Sequence, residues 1–283
     1  MVKEAIKKAD VLIEALPYIK EFHKKIFVIK YGGSILCEDR VRKSVLEDIV
    51  FLRYTGIRPI LVHGGGPNIT EKLKEHKITT EFVDGMRVTD KFTLKIVEEE
   101  LNELNDLIVR EISAYGANAT GFKREDELLS AVKKRSKQDL GLVGEVVGMD
   151  EVKLKKALET SIPVITPMGV SKDGDAYNIN ADDVAFFLAS QLKAEKLVLL
   201  TNILGVMRNP QDESSLIPTI TMKNAEELIE KKVISEGMIP KVRAAVKSIE
   251  EGVGKAHIVD AKIPHAIMLE IFTNEGIGTE IIK

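Results

Sequence analysis

Three short runs constrain this chain more than anything else in it. KIFVIK (residues 25–30), PILVH (59–63) and KLVLLTN (196–202) are apolar over most of their length. A strand that is apolar on both faces is buried on both, the condition of a parallel sheet covered by helices. Helical spacing follows the first two runs: Val41, Val45, Ile49 and Leu52 after the first, Ile69 and Leu73 after the second. Repeated strand–helix units predict an α/β fold with a mainly parallel sheet covered on both faces.

The rest of the pattern fits around that sheet. Leu94, Val97, Leu101, Leu104 and Ile108 form an apolar stripe on a helix of about five turns. EFVDGMRVTD (81–90) reads as a turn or hairpin about Asp84 and Gly85. Residues 119–150 are less regular, with several short β-like runs. Helices are expected at 182–193, 225–232 and 240–251, followed by the strand AHIVDA and then PHAIMLEIF. No Pro/Gly/Ser-rich linker interrupts the chain, so two lobes sharing one sheet are expected.

Val2, Ile6, Ala9, Ile13 and Leu16 mark a separate amphipathic helix with nothing nearby in sequence to cover it. It packs either on its own domain or against another subunit.

Composition removes several classes. At 283 residues the chain buries enough surface to need no covalent staples. A net charge of -3 does not mark a nucleic-acid or membrane-surface protein. The single cysteine, Cys37, permits no intrachain disulfide and no cysteine cage for a metal, and it fits a reducing compartment. No apolar run approaches the length of a membrane span. The charged, periodic N-terminus lacks the features of a signal peptide. The expectation is a cytoplasmic protein.

In parallel sheets ligands bind beyond the carboxyl ends of the strands. Those ends, after Lys30, Val62 and Leu200, carry unusual residues. Gly64, Gly65 and Gly66 follow His63, and Pro67 then suits the first position of a helix. Glycines let the backbone approach a ligand, and a helix N-terminus favours an anion. A tight strand-to-helix turn would also explain them. KYGGS (30–34) repeats the device with Lys30 in front of Gly32 and Gly33. That lysine is either solvated or a point charge on a phosphate.

Neither a P-loop nor a dinucleotide fingerprint is present, and the five histidines show no metal-ligand spacing. His63 reads as structural rather than catalytic. In YNINADD (177–183) the amides and carboxylates either cap a helix or serve a site. Arg87 suits a bidentate grip on a carboxylate, or lies on the surface. Lys241, four residues after Gly237 at a helix start, is a second candidate cation or a solvated lysine.

In this order the stretches KYGGS, LVHGGGP, FVDGMRVTD, DLGLVGEVVG, IPVITPMGV, YNINADD, AEKLVLLTN, GMIPKV and EIFTNEGIGT resemble the acetylglutamate kinases of the amino acid kinase family. The resemblance runs from Lys30 to Thr279. It implies a three-layer αβα sandwich with an open, mainly parallel central sheet. It implies ATP-dependent phosphorylation of the γ-carboxylate of N-acetyl-L-glutamate in arginine biosynthesis. Residues 25–193 would form the acetylglutamate lobe and 194–283 the ATP lobe.

By the same resemblance Lys30 and Lys241 would neutralise the transferring phosphoryl group, with Asp182 holding both. Gly32, Gly33, Gly64 and Gly65 would offer N–H groups to phosphate and substrate, and Arg87 and Asn178 would hold acetylglutamate. Thr201, Asn202, Gly205, Gly237 and Met238 would lie at the nucleotide. Mg²⁺ would ride on ATP, with no dedicated protein metal site.

Arginine-inhibited members carry an additional N-terminal helix that joins dimers into hexamers, and a C-terminal segment like EIFTNEGIGT. Both features occur here. The resemblance therefore implies a homohexamer, a trimer of dimers built through residues 1–24. It also implies inhibition by arginine near Lys196, Glu270 and Gly276. Family members usually have Asp where Asn202 stands. A sister kinase acting on acetylaminoadipate and a catalytically silent arginine-sensing subunit are the alternatives.

Overall fold

The first strand of the chain is the middle of its sheet. In a computed structural model, which describes residues 2–32, 38–83, 85–234, 237–273 and 275–283, α1 (Val2–Phe22) leads into β1 (Ile26–Tyr31). Then come α2 (Asp39–Tyr54), β2 (Arg58–His63) and α3 (Gly66–Glu75). A short hairpin of β3 (Phe82–Val83) and β4 (Met86–Arg87) precedes the long α4 (Lys91–Ala114). The middle of the chain holds β5 (Ala119–Phe122), β6 (Leu129–Lys133), β7 (Val143–Met149), α5 (Glu151–Thr160), β8 (Ile162–Ile165), β9 (Met168–Val170), β10 (Ala176–Ile179) and α6 (Ala181–Gln191). The last third holds β11 (Lys196–Thr201), β12 (Thr219–Thr221), α7 (Met222–Glu230), α8 (Ile239–Glu250), β13 (Lys255–Asp260), α9 (Ala266–Phe272) and β14 (Thr279–Ile282).

Eight strands form the central sheet in the order β12-β14-β13-β11-β1-β2-β8-β5. From β13 to β5 every pair is parallel; β14 runs antiparallel to β13 and β12 parallel to β14. The mixed α/β fold with a mostly parallel sheet is the one expected. The register aligns the strand ends that carry the glycines: Tyr31 lies beside His63 on one side and Leu200 on the other.

Alternation along β1 divides the core. Phe27, Ile29 and Tyr31 enter the cluster under α2 and α9, whereas Val28 enters the cluster under α6 and α8. Lys30 is two residues on from Val28, so it leaves the sheet on the α6/α8 side.

Two regions gain a definition that their sequence pattern left open. The irregular stretch contributes to a small closed barrel of β10, β7, β6 and β9, which stands apart from the central sheet. PHAIMLEIF, left without a type by its spacing, contains α9, preceded by His265 in the left-handed region at φ 58°.

α1 divides along its length. Tyr18, Ile19 and Phe22 pack on the core, with the Phe22 and Phe27 rings 5.3 Å apart. Ile6, Ile13 and Leu16 remain 53%, 68% and 42% exposed. Among the described side chains of α1, packing on its own domain accounts for the last turns of the helix and not for Ile6 or Ile13.

Candidate active site

The site begins with one carboxylate. Asn180 caps α6 by accepting a hydrogen bond from Asp182 N at 2.8 Å, the helix-capping reading of YNINADD. That cap fixes the first turn of α6 against the end of β1 and frees the Asp182 side chain to face the lysines. Lys30 Nζ lies 2.9 Å from Asp182 Oδ1, and Lys241 Nζ, from the first turn of α8, donates to Oδ2. Burial alone would raise the Asp182 carboxyl. The charges of Lys30 and Lys241 outweigh it and hold the pKa down at about 2. Three residues from three distant parts of the sequence thus form one ionised cluster.

The glycine loops meet beside it. A Cβ on Gly32 would lie 3.5 Å from Gly64 Cα, and a Cβ on Gly64 would lie 3.5 Å from Gly32 Cα. Side chains at either position would fill the gap between the two loops. Gly33 lies outside the described residues.

A cavity of about 190 Å³ opens from this point, lined by Lys30, Gly64, Gly65, Gly66, Arg87 and Asn178 among others. Arg87 is buried, not a surface arginine. Its guanidinium donates to Thr70 Oγ1 at 2.8 Å, Gly66 O at 3.0 Å and Thr80 Oγ1 at 3.2 Å, and stacks 4.7 Å from the Phe82 ring. Asn178 Nδ2 donates to Thr89 Oγ1 at 3.3 Å, and the Thr89 hydroxyl donates to Arg87 O at 2.7 Å. An arginine and an amide share the cavity with Lys30, and Lys30 is joined through Asp182 to Lys241. Separate cations of this kind suit a ligand carrying more than one anionic group.

Of the five expected nucleotide residues beyond the glycine loops, two come together. Gly205 and Met238 line a small cavity of about 90 Å³ with Ile203, Val206, Met207 and Pro210. Thr201 borders it through hydrogen bonds between its hydroxyl and Ile203. Asn202 and Gly237 are exposed and stand outside its lining.

Lys196, Glu270 and Gly276 gather at a separate cavity of about 290 Å³, on the other side of the sheet from Lys30. Tyr18 and Phe22 of α1 form part of its wall. Lys196 Nζ lies 3.1 Å from His257 Nε2 and 5.0 Å from the Phe22 ring centre. His257 Nδ1 lies 2.7 Å from Glu270 Oε1, while Glu270 Oε2 accepts from Ile277 N at 2.8 Å and Gly278 N at 2.9 Å. Burial, with Lys255 nearby, lowers the Lys196 pKa to about 8. Burial opposes ionisation of Glu270, but His257 and the two backbone N–H groups outweigh it and lower its pKa. Gly276 has φ 62°, and a Cβ there would lie 2.9 Å from Glu270 Oε2, so glycine meets both a backbone and a space requirement.

Sequence reasoning missed Thr89 and His257. Thr89 lies inside the motif that yielded Arg87, but nothing in its spacing reveals a hydroxyl bridging Arg87 to Asn178. His257 alternates inward on β13, and its partnership with Glu270 depends on how α9 packs. Among the described residues no group of three or more His, Cys, Asp or Glu side chains could hold a metal ion, and no helix is long and apolar enough to cross a membrane.

Comparison with known proteins bears on the family and the fold. The model of the amino acid kinase family matches residues 25–260. The acetylglutamate kinase of Desulforamulus reducens is 45% identical over 282 residues, covering 98% of each chain. That of Aquifex aeolicus is 46% identical over 296 residues, again covering 98% of each. Among solved structures, the N-acetylglutamate synthase of Neisseria gonorrhoeae, complexed with coenzyme A and N-acetyl-glutamate, superposes with a TM-score of 0.87 at 26% identity. The match covers 97% of this chain but only 63% of that one. Carbamate kinase from Giardia lamblia, at 16% identity and a TM-score of 0.67 over 92% of this chain and 98% of its own, shares the fold.

Proposed function

Because this chain belongs to the amino acid kinase family, we propose that it transfers the γ-phosphoryl group of ATP to the γ-carboxylate of N-acetyl-L-glutamate in arginine biosynthesis. The observation that carries this reading is the Lys30–Asp182–Lys241 cluster, whose Lys30 lines the same cavity as Arg87 and Asn178.

A carboxylate oxygen of the acceptor attacks the γ-phosphorus. The bond to the β,γ-bridging oxygen breaks, ADP leaves, and an acyl phosphate forms. Both reactants are anions, so positioning and charge stabilisation dominate the barrier. Lys30 and Lys241 face the transferring group from two sides, and Asp182 sets their separation. Gly32, Gly64 and Gly65 offer backbone N–H groups to phosphate and substrate, a role the family resemblance extends to Gly33. Arg87 grips the α-carboxylate, and Asn178 holds the acetylamino end. Thr201, Asn202, Gly205, Gly237 and Met238 attend the nucleotide.

Asp182 is committed to two lysines, which fits Mg²⁺ held by the nucleotide's own phosphate oxygens. Bound there, Mg²⁺ offsets phosphate charge. Residues 25–193 serve the acceptor and 194–283 the nucleotide, in a cytoplasmic enzyme.

Regulation is the second part of the proposal. The exposed stripe of Ile6, Ile13 and Leu16 supports α1 as the contact joining dimers into a hexamer, a trimer of dimers. Arginine binds in the cavity of Lys196, Glu270 and Gly276, where glutamates surround a buried lysine, and inhibits the enzyme.

The deciding assay is ATP consumption with N-acetyl-L-glutamate, beside glutamate and acetylaminoadipate. Turnover that depends on acetylglutamate is expected. Turnover with acetylaminoadipate alone, or with no acceptor, overturns the reading.

A further inference from the structure

His63 ends β2 and is fully buried, and its ring takes no part in the transfer described above. Its two nitrogens are both engaged. Nδ1 lies 3.1 Å from Gly64 O, and Nε2 lies 3.2 Å from Asn105 Nδ2. Asn105, a fully buried residue of α4, also donates from Nδ2 to Val164 O at 3.0 Å. A backbone carbonyl only accepts, so Asn105 turns its NH₂ toward this group. Asn105 Nδ2 also donates to Thr166 Oγ1 at 3.1 Å, which lies 3.4 Å from His63 Nε2. The tautomer is set at the other nitrogen, where Gly64 O can only accept, so the ring proton sits on Nδ1 and Nε2 is left to accept. Burial lowers the His63 pKa to about 4 against the opposing bond to Gly64, so the ring is neutral in the working range.

The consequence lies in the next peptide. A trans peptide points its N–H opposite its C=O. With Gly64 O held by a buried ring, Gly65 N–H faces away from that ring, and both glycines line the cavity. Glycines have no side chains to fix their orientation and the widest backbone freedom. The direction of this peptide must be imposed from outside, and the His63 ring, held by Asn105, is in contact with it.

We propose that His63 is a positioning residue for the phosphoryl transfer: its Nδ1–H locks the Gly64–Gly65 peptide so that Gly65 N–H stays aimed at the reacting anions. The proposal rests on the kinase reading, and its test separates the two.

NMR of ¹⁵N-histidine-labelled protein reads the tautomer whether or not the enzyme turns over, with the His63 signals assigned from the spectrum of His63→Asn. A neutral ring protonated on Nδ1 from about pH 5 to 8 is expected. A proton on Nε2 overturns the proposal even in an active kinase.

Kinetics give the second readout. His63→Leu keeps an apolar filling but loses the donor; kcat should fall about tenfold or more, with both KM values within about threefold. His63→Asn, whose amide nitrogen can stand near the place of Nδ1, should recover most of kcat. An unchanged kcat in folded His63→Leu, or equal loss in both variants, refutes the positioning role. Should His63→Leu fail to fold, Asn105→Leu tests the same lock, and an undiminished kcat there counts against it. A wild type that turns over no acetylglutamate rejects the kinase reading, and the tautomer then decides for His63.

Discussion

Lys30 and Asp182 meet at 2.9 Å across the gap between the end of β1 and the first turn of α6. The two elements are distant in sequence, and α6 packs directly on β1. Their meeting point fixes where a phosphoryl group could be met by positive charge. Lys241 reaches the same carboxylate from α8, so one residue sets the positions of both cations.

If both lysines stabilise the transfer, either one removed should cost more in rate than in binding. Lys30→Ala and Lys241→Ala should each lower kcat at least about a hundredfold, with smaller changes in KM. Steady-state kinetics on each variant check this. A variant with near-normal kcat removes its lysine from the mechanism.

Asp182 links the site to acid stability. Its carboxyl titrates at about 2 in the folded protein against 3.8 unperturbed. A depressed carboxyl stabilises the fold above its unfolded pKa, and the contribution is lost as pH falls through the folded value. The full contribution is about 2 kcal/mol. Denaturant unfolding of wild type and Asp182→Asn should show a gap at pH 5 that narrows by about 1 kcal/mol at pH 3. A gap independent of pH over that range contradicts the ion cluster.

Arg87 offers a fork that lysine cannot copy. Arg87→Lys should raise KM for acetylglutamate by about ten- to a hundredfold while leaving KM for ATP and kcat within about threefold. Because Arg87 also holds Thr70, Thr80 and Gly66 O, the variant's thermal melt is measured alongside. An unaltered acetylglutamate KM in a folded variant takes the guanidinium out of substrate binding.

Deleting residues 1–20 removes Tyr18 and the exposed stripe while keeping Phe22 against Phe27. The product should be an active dimer that arginine no longer inhibits, read by light scattering and by inhibition curves. Hexamers that persist after the deletion sink the role given to α1. Glu270→Gln in the full chain separates the two functions: it should remain hexameric and lose inhibition.

The sheet and most of its helices were legible because burial on both faces leaves an unbroken apolar signature. Lys30 and the glycines were legible because they interrupt that signature at a strand end. YNINADD was legible only as a cluster. In the fold Asn180 caps, Asn178 lines the cavity, Asp182 meets the two lysines and Asp183 pairs with Lys134. One motif thus carries the bland reading and the sharp one at adjacent positions. The small barrel was not legible, because strands as short as Met168–Val170 take their register from distant partners rather than from local pattern. The Lys196–His257–Glu270 chain was hidden for the same reason. Its members come from β11, β13 and α9, and only their packing joins them.

The central place of β1 bears on how the molecule can be assembled. Its neighbours are β2, which follows at once, and β11, which follows only after the barrel and α6. Pairing so far apart in sequence closes a long loop before it is rewarded, which slows folding. A fragment cut between α6 and β11 would hold β1 as a bare edge, its apolar run open to pairing with other chains. Residues 25–193 and 194–283 meet along the β1–β11 pair in the interior of the sheet, so neither stretch is a module that could be exchanged or expressed alone.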